Sequence, residues 1–193
     1  MTLPEIVSQF SAALKEVDSE RPVEEGKPYD PGIGPFTEAG AIEHGLSRLR
    51  SSGRWKEAET EKSYPSDGRT RCDIYVPGDW AIEVKLLRPF GDNGREMEHW
   101  SENALHPYEG NASSIGDALK LIGSGFPERK AVLIYGFEHE PPKIPLETTV
   151  EAFELIAEEA CGIDLGPRAE SVETGLVHPV HEQMRTYGWE VRN

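Results

Sequence analysis

The chain has 193 residues, enough for one domain with a substantial core and too few for two. Its two cysteines argue against a disulfide framework or a zinc cluster and favour a reducing compartment. The formal net charge of −15 argues against tight, nonspecific binding of nucleic acid. No apolar run approaches membrane-spanning length, and no basic region followed by an apolar stretch opens the chain. We therefore expect a cytoplasmic protein with no membrane partner.

The N-terminal third of the chain is predicted to contain two helices separated by a loop. Apolar residues recur at helical spacing between Thr2 and Val17, with Thr2 as an N-cap candidate. Pro and Gly crowd residues 19 to 35, which indicates a linker or an ordered loop. Thr37 is the N-cap candidate of the second helix, which Gly53 would end.

Three strands are predicted to follow. The alternating stretch from Arg54 to Tyr64 suits a first strand with an exposed side, and Pro65 to Gly68 form a strong turn signal. Cys72 to Val76 and Trp80 to Val84 are rich in β-branched and aromatic residues. The Pro-Gly-Asp sequence between them, residues 77 to 79, is typical of a hairpin loop.

The apolar pattern selects one register for this hairpin. Ile74 then pairs with Ile82, and Asp73 lies opposite Glu83. One face of the hairpin is entirely apolar: Cys72, Ile74, Val76, Trp80, Ile82 and Val84. The other face carries Arg71, Asp73, Tyr75, Ala81, Glu83 and Lys85, four of which are charged.

The charged face of the hairpin has two interpretations. Asp73 and Glu83 would have Cβ atoms about 5 Å apart, where two carboxylates repel unless a cation lies between them. Mg²⁺ suits such a pair, since one or two carboxylates usually hold it together with substrate phosphate. The alternative is an ordinary solvated face, in which Lys85 makes a weak cross-strand ion pair.

At these residues the sequence resembles a known family. Asp73 followed by Glu83-Val84-Lys85 is similar to the D…(D/E)-x-K signature of the PD-(D/E)XK nuclease superfamily, on the second and third strands of its core. Cys72 stands where that family often has a proline. The resemblance implies that Asp73, Glu83 and the Val84 carbonyl hold the metal and that Lys85 positions the attacking water.

Many members of the superfamily supply a further glutamate from the helix before the first strand. Glu43 is the position that matches this glutamate, and Glu38 is the alternative. A glutamate at the border of a packed helix face is also ordinary in a protein without such a site.

A polar stretch follows the third strand, from residue 91 to residue 110. A loop of this length is typically either disordered or functional, and we expect a lid on which Trp100 and Tyr108 stack against a base. A transition-metal site is the less favoured alternative, because four metal-ligand side chains lie at helical spacing there: Glu98, His99, Glu102 and His106.

A further helix and a buried strand complete the central region. Ser113 and Ser114 begin a helix, and residues 131 to 137 form a continuous apolar run typical of a buried strand. Such a crossover makes this strand parallel to a strand of the hairpin. The order of helix, three strands, helix and strand resembles the conserved core of the PD-(D/E)XK fold.

We expect a single α/β domain, with a restriction-endonuclease-like core formed by a central mixed β-sheet flanked by helices. Residues 1–35 would form an N-terminal helix and loop, residues 36–137 the nuclease-like core, and residues 138–193 a C-terminal helix and strands that cover the core.

The expected function is Mg²⁺-dependent hydrolysis of phosphodiester bonds in nucleic acid, with DNA as the favoured substrate and Mn²⁺ as a substitute metal. The resemblance implies a role in bacterial restriction or defence. Arg71, Arg88 and Lys120 are candidates for phosphate contact. A homodimer, or one subunit of a larger complex, is the expected assembly.

Two alternatives to the nuclease remain open from the sequence. A catalytically inactive protein of the same fold, serving interaction or regulation, is favoured by the acidic composition. A small-molecule hydrolase of another α/β fold would need a nucleophile elbow or a phosphate loop, and the sequence has neither motif.

Overall fold

The computed structural model describes residues 1–26, 30–51, 53–107 and 112–192. Within these ranges the chain forms an α/β structure in which a seven-stranded mixed sheet is flanked by helices. The helices are α1 Leu3–Ser19, α2 Glu38–Leu49, α3 Glu102–Leu105, α4 Ser114–Ile122 and α5 Leu146–Leu155. The strands are β1 Glu59–Ser63, β2 Arg71–Val76, β3 Trp80–Leu87, β4 Arg129–Glu138, β5 Asp164–Leu165, β6 Ala169–Thr174 and β7 Gln183–Arg192.

The sheet combines antiparallel and parallel pairing. Its strand order is β1-β2-β3-β4-β7-β5, and β6 also pairs with β7. β1, β2 and β3 form an antiparallel meander, β4 lies parallel to β3, and β7 is antiparallel to β4. The parallel crossover predicted from the helix before the apolar run is thus confirmed.

The central hairpin has the predicted register. Ile74 lies opposite Ile82 and Val76 opposite Trp80. Every residue of the predicted apolar face is at most 2% exposed. The face predicted to be polar is also largely covered, because Ala81, Glu83 and Lys85 are only 0%, 5% and 9% exposed. β3 is therefore buried on both sides, which places two ionisable side chains, Glu83 and Lys85, inside the protein.

Helices cover both faces of the sheet. α1 packs against α2, β6 and β7, whereas α4 packs against β3 and β4. The alternation of β4 divides its side chains between these two layers: Leu133 and Tyr135 join the core beneath α1, and Val132 and Ile134 join the core beneath α4. None of the helices in the described ranges has the length and apolar character needed to cross a membrane.

Side chains at the helix N-termini fix where the helices begin. Thr2 caps α1 in a reciprocal capping box with Glu5, as the sequence predicts for Thr2. The hydroxyl oxygens of Thr37 and Ser113 accept backbone N–H groups in the first turns of α2 and α4.

The first predicted strand is shorter in the structure. Residues Gly53–Glu57 form a 3₁₀ turn, and the strand begins only at Glu59. The reason lies with Trp55, which is 2% exposed and donates its indole N–H to Gln9 Oε1 of α1 at 2.6 Å. Burying a large aromatic side chain against α1 is more favourable than extending an exposed edge strand.

At Gly136, β4 approaches its neighbours too closely for a side chain to fit. A Cβ at this position would lie 2.6 Å from the Leu87 carbonyl oxygen and 2.6 Å from Leu146 Cδ1. Gly136→Ala is therefore expected to lower the free energy of unfolding by about 1–3 kcal/mol in urea titrations. Gly123→Ala is the control, because the nearest atom to its added Cβ would be the Lys120 carbonyl oxygen, at 3.8 Å. Equal stability of the two variants would contradict the prediction.

Candidate active site

Asp73 and Glu83 form a carboxyl pair between β2 and β3. Their side chains are hydrogen-bonded to each other, and Asp73 Oδ2 accepts the backbone N–H of Val84 at 2.7 Å. Burial raises the pKa of Glu83 to about 10, and the charges of Asp73 and Asp117 add to that effect. Burial also raises the pKa of Asp73. In the absence of a cation the two carboxyl groups therefore share a proton at neutral pH.

Tyr64 is a further member of this pair that the sequence did not single out. It lies directly after β1, is 2% exposed, and donates its hydroxyl to Glu83 Oε1. Burial and the Glu83 carboxylate raise the pKa of Tyr64, so the phenol keeps its proton. The one signal in the sequence that could have identified Tyr64 is that it is an aromatic residue at the end of a strand of charged and polar residues.

Lys85 is held by two carboxylates. Its Nζ lies 3.1 Å from Asp117 Oδ2 and 3.5 Å from Glu38 Oε1. Burial lowers the pKa of Lys85, but Asp117 and Glu38 more than offset this, and the pKa lies above its usual value. Lys85 is therefore a buried cation with a fixed position.

Asp117 connects α4 to this site. It lies in the first turn of α4, is 4% exposed, and also accepts Lys120 Nζ at 2.7 Å through Oδ1. Lys120, a candidate phosphate contact, is thus brought next to Lys85. From the sequence, solvent-exposed positions accounted equally well for Asp117 and Lys120, because ion pairs at i,i+3 spacing are common on exposed helices.

The structure brings Glu38, and not Glu43, to the site. Glu38 Oε2 accepts the backbone N–H of Leu86 at 2.6 Å, and burial raises the pKa of Glu38. Glu43 is exposed, and its carboxylate pairs with Arg50 at 3.0 Å. The expectation for Glu43 is therefore corrected, because the first turn of α2 faces the end of β3 and the middle of the helix does not.

The two predicted arginines lie in different surroundings. Arg88 donates to the Gly34 carbonyl at 2.9 Å and lies 3.6 Å from Asp92 Oδ1, at the border of the cleft beside Lys85. Arg71 is exposed and donates to Ser63 Oγ across the β1–β2 pair. Within the described residues, no hydrogen bond or ion pair joins Arg71 to Lys85 or to its partners Asp117 and Glu38.

A cleft of about 370 Å³ opens beside Lys85, at the C-terminal end of β3. Its lining includes Glu38, Lys85, Arg88 and the half-buried Trp100. Trp100, one of the two aromatic residues expected to stack on a base, thus lines this cleft, whereas Tyr108 lies outside the described residues. A larger groove of about 870 Å³ lies at the opposite end of β3, beside Asp79, and holds none of the site residues.

The donor set at the carboxyl pair fits a hard divalent cation. Asp73 and Glu83 present oxygen ligands, and a cation between them would replace the shared proton. In the described part of the chain no three His, Cys, Asp or Glu side chains form a ready-made metal group, including the stretch with His99 and Glu102. Two carboxylates suffice for Mg²⁺, because waters and substrate phosphate complete its coordination.

Comparison with known proteins adds no further constraint on this site. No family model, no curated protein and no solved structure matches the chain. The geometry of its own residues is therefore the basis for assigning a function.

The shared proton predicts a pH-dependent stability for the metal-free protein. Glu83 would lose its proton near pH 4.5 when unfolded but keeps it to about pH 10 when folded. Its contribution to the free energy of unfolding is therefore complete below pH 4.5 and is lost progressively as pH rises towards 10. We expect the stability of the wild type relative to Glu83→Gln to fall with rising pH, as measured by urea unfolding with chelator present.

The exposed Glu43 supplies the matched control for this measurement. Glu43→Gln is expected to keep the pH profile of the wild type, because its carboxylate lies at the surface. Parallel profiles for the wild type and Glu83→Gln would show that the carboxyl pair shares no proton.

Proposed function

We propose that this protein is a Mg²⁺-dependent phosphodiesterase that cleaves nucleic acid, with DNA as its substrate and bacterial restriction or defence as its role. The observation that carries the proposal is the proton-sharing pair of Asp73 and Glu83 next to a buried lysine. A charged cluster of this kind is expensive to bury and is typical of sites that do chemistry. Mn²⁺ is proposed as a substitute metal.

The arrangement of the elements supports the same proposal. α2, the β1–β3 meander, α4 and the parallel strand β4 follow in the order that the resemblance to PD-(D/E)XK nucleases implies. We therefore propose a restriction-endonuclease-like core between residues 36 and 137. The residues of the motif lie on β2 and β3, the second and third strands of this core.

Asp73 and Glu83 would hold the metal in this proposal. The N–H and carbonyl of one residue in an extended strand point to the same side, so the Val84 carbonyl faces Asp73 together with its N–H. Tyr64 keeps Glu83 in place through its hydroxyl. Bound Mg²⁺ supplies a water of lowered pKa and charge neutralisation at the phosphate.

Lys85 acts as a charged hydrogen-bond donor in the proposed reaction. Its raised pKa keeps the proton on Nζ at neutral pH, so it orients the attacking water or a phosphate oxygen and does not act as a base. Asp117 and Glu38 fix its position from two sides. Glu38 borders the cleft and burial raises its pKa, so it is the proposed proton acceptor.

A catalytically inactive interaction protein of the same fold is the second candidate, favoured by the net charge of −15. An inactive protein has no need of the carboxyl pair, which costs free energy to bury without a cation. For the enzyme, a homodimer or a place in a larger complex is proposed; two sites are required only if both strands of a duplex are cut.

Cleavage assays test the proposal directly. Linear, circular and single-stranded DNA and RNA are incubated with Mg²⁺ or Mn²⁺ and the products are resolved by electrophoresis. Asp73→Ala and Lys85→Ala are expected to lower the cleavage rate at least roughly 100-fold, because each removes a group required in the transition state.

Two glutamates of α2 supply a matched pair of variants for the same assay. Glu38→Gln is expected to lower the rate by roughly 100-fold or more, whereas Glu43→Gln should cleave like the wild type. No cleavage of any substrate by the wild type, together with no Mg²⁺ binding in calorimetric titration, would favour the interaction protein.

A further inference from the structure

We infer that the cleft beside Lys85 continues into a trough that binds a single nucleic-acid strand, with one base stacked on Trp100. This inference rests on the proposed function and names its substrate class: single-stranded nucleic acid, or a strand end released from a duplex.

The trough is formed by two adjoining clefts. The cleft beside Lys85 measures about 370 Å³, and a second cleft of about 300 Å³ lies towards Arg95. Arg88 and Met97 line both clefts, so the two share a wall. A chain leaving the Lys85 site by this path passes Arg88 first and Arg95 next. Asp92 and Glu96 line the second cleft as well, and Asp92 already pairs with Arg88 and His181. The cations spaced along this path can follow the phosphates of one strand.

Arg88 is held in place along this path. Its guanidinium donates to the Gly34 carbonyl and faces Asp92, which is in turn 2.9 Å from His181 Nε2. These contacts use only part of the five N–H donors of an arginine, so others can serve a phosphate. A cation with a fixed orientation loses little side-chain entropy when it binds.

Trp100 supplies an aromatic surface in the same cleft. Part of its side chain packs against the core beneath α4, and the remainder lines the cleft with Asn103 and Met97. The preceding residue, His99, has a φ of 60°, a left-handed conformation that few residues other than glycine adopt. The backbone therefore adopts a left-handed conformation immediately before Trp100.

A continuous duplex cannot place a base on Trp100 while its phosphates follow the trough. Bases inside a duplex are stacked on each other, so their faces are available to a side chain only after unstacking. Tight duplex binding also needs many phosphate contacts across the surface, which a chain of net charge −15 opposes outside the trough. One unpaired strand needs only the local cations and the aromatic face.

Intrinsic fluorescence provides a direct test, because the other three tryptophans, Trp55, Trp80 and Trp189, are at most 2% exposed. The wild-type protein is titrated with oligodeoxythymidylate, oligouridylate and a blunt DNA duplex, with Ca²⁺ in place of Mg²⁺ so that both carboxylates that would hold the metal stay in place while turnover is avoided. We expect a single-stranded oligonucleotide to quench the Trp100 signal and the duplex to leave it unchanged. Comparison of oligodeoxythymidylate with oligouridylate shows whether the bound single strand is DNA or RNA.

Variants test the same contact through the anisotropy of a labelled single-stranded oligonucleotide. Trp100→Ala is expected to weaken binding by roughly ten-fold. This loss of affinity lies in the range measured when one aromatic side chain that stacks on a base is removed. Trp100→Phe keeps a ring and should bind nearly as tightly as the parent protein. Leu155→Ala, at an exposed position of α5 outside the trough, is the control and should leave the affinity unchanged.

The inference is overturned if neither single strand quenches the fluorescence, if the duplex binds as tightly as a single strand, or if Trp100→Ala binds like the parent protein. These outcomes are separate from those of the cleavage assay. Quenching without cleavage by the wild type would support the trough and reject the nuclease. Cleavage without quenching would support the nuclease and reject the trough.

Discussion

The burial of charge along β3 is the constraint on which the site depends. A strand covered on both faces normally carries an apolar run, yet β3 places Glu83 and Lys85 beneath α4. Each buried charge needs its partner, since removing one member of a buried pair typically costs about 3–5 kcal/mol. Apolar residues at the same positions would remove that cost without loss of packing. This cost is the reason that the proposed function is assigned to Glu83, Lys85 and their partners.

The hairpin was predictable because its local signals agree. Apolar residues alternate on both strands and the turn has a defined length, so one register places five apolar side chains in the core beneath α1: Ile74, Val76, Trp80, Ile82 and Val84. Cys72, predicted on the same face, lies instead in the core beneath α4. The burial of the other face was not predictable from the same signals. It is caused by α4, which the parallel crossover from β3 to β4 places over the sheet. Alternation reports which side chains share a face and not what covers that face.

The choice between Glu38 and Glu43 shows the same limit of local patterns. Both lie beside the apolar stripe of α2, and helical spacing does not distinguish them. Glu38 is selected because the start of α2 meets the end of β3, where the Glu38 carboxylate accepts the backbone N–H of Leu86. Tyr64 depends likewise on a contact across the sheet, between the end of β1 and Glu83. Tertiary geometry decides both assignments.

The acidic composition and the proposed substrate are compatible on electrostatic grounds. A site that binds a divalent cation between carboxylates obtains its positive charge from that cation, and so needs few lysines and arginines of its own. Asp117 and Glu38 neutralise Lys85 while keeping it in position, which leaves the local charge dependent on the metal. Phosphate would then be attracted mainly when the metal is present. The acidic residues outside the trough would repel nucleic acid that does not reach the site. Because the metal would supply most of the positive charge at the site, nucleic-acid binding would depend on metal occupancy.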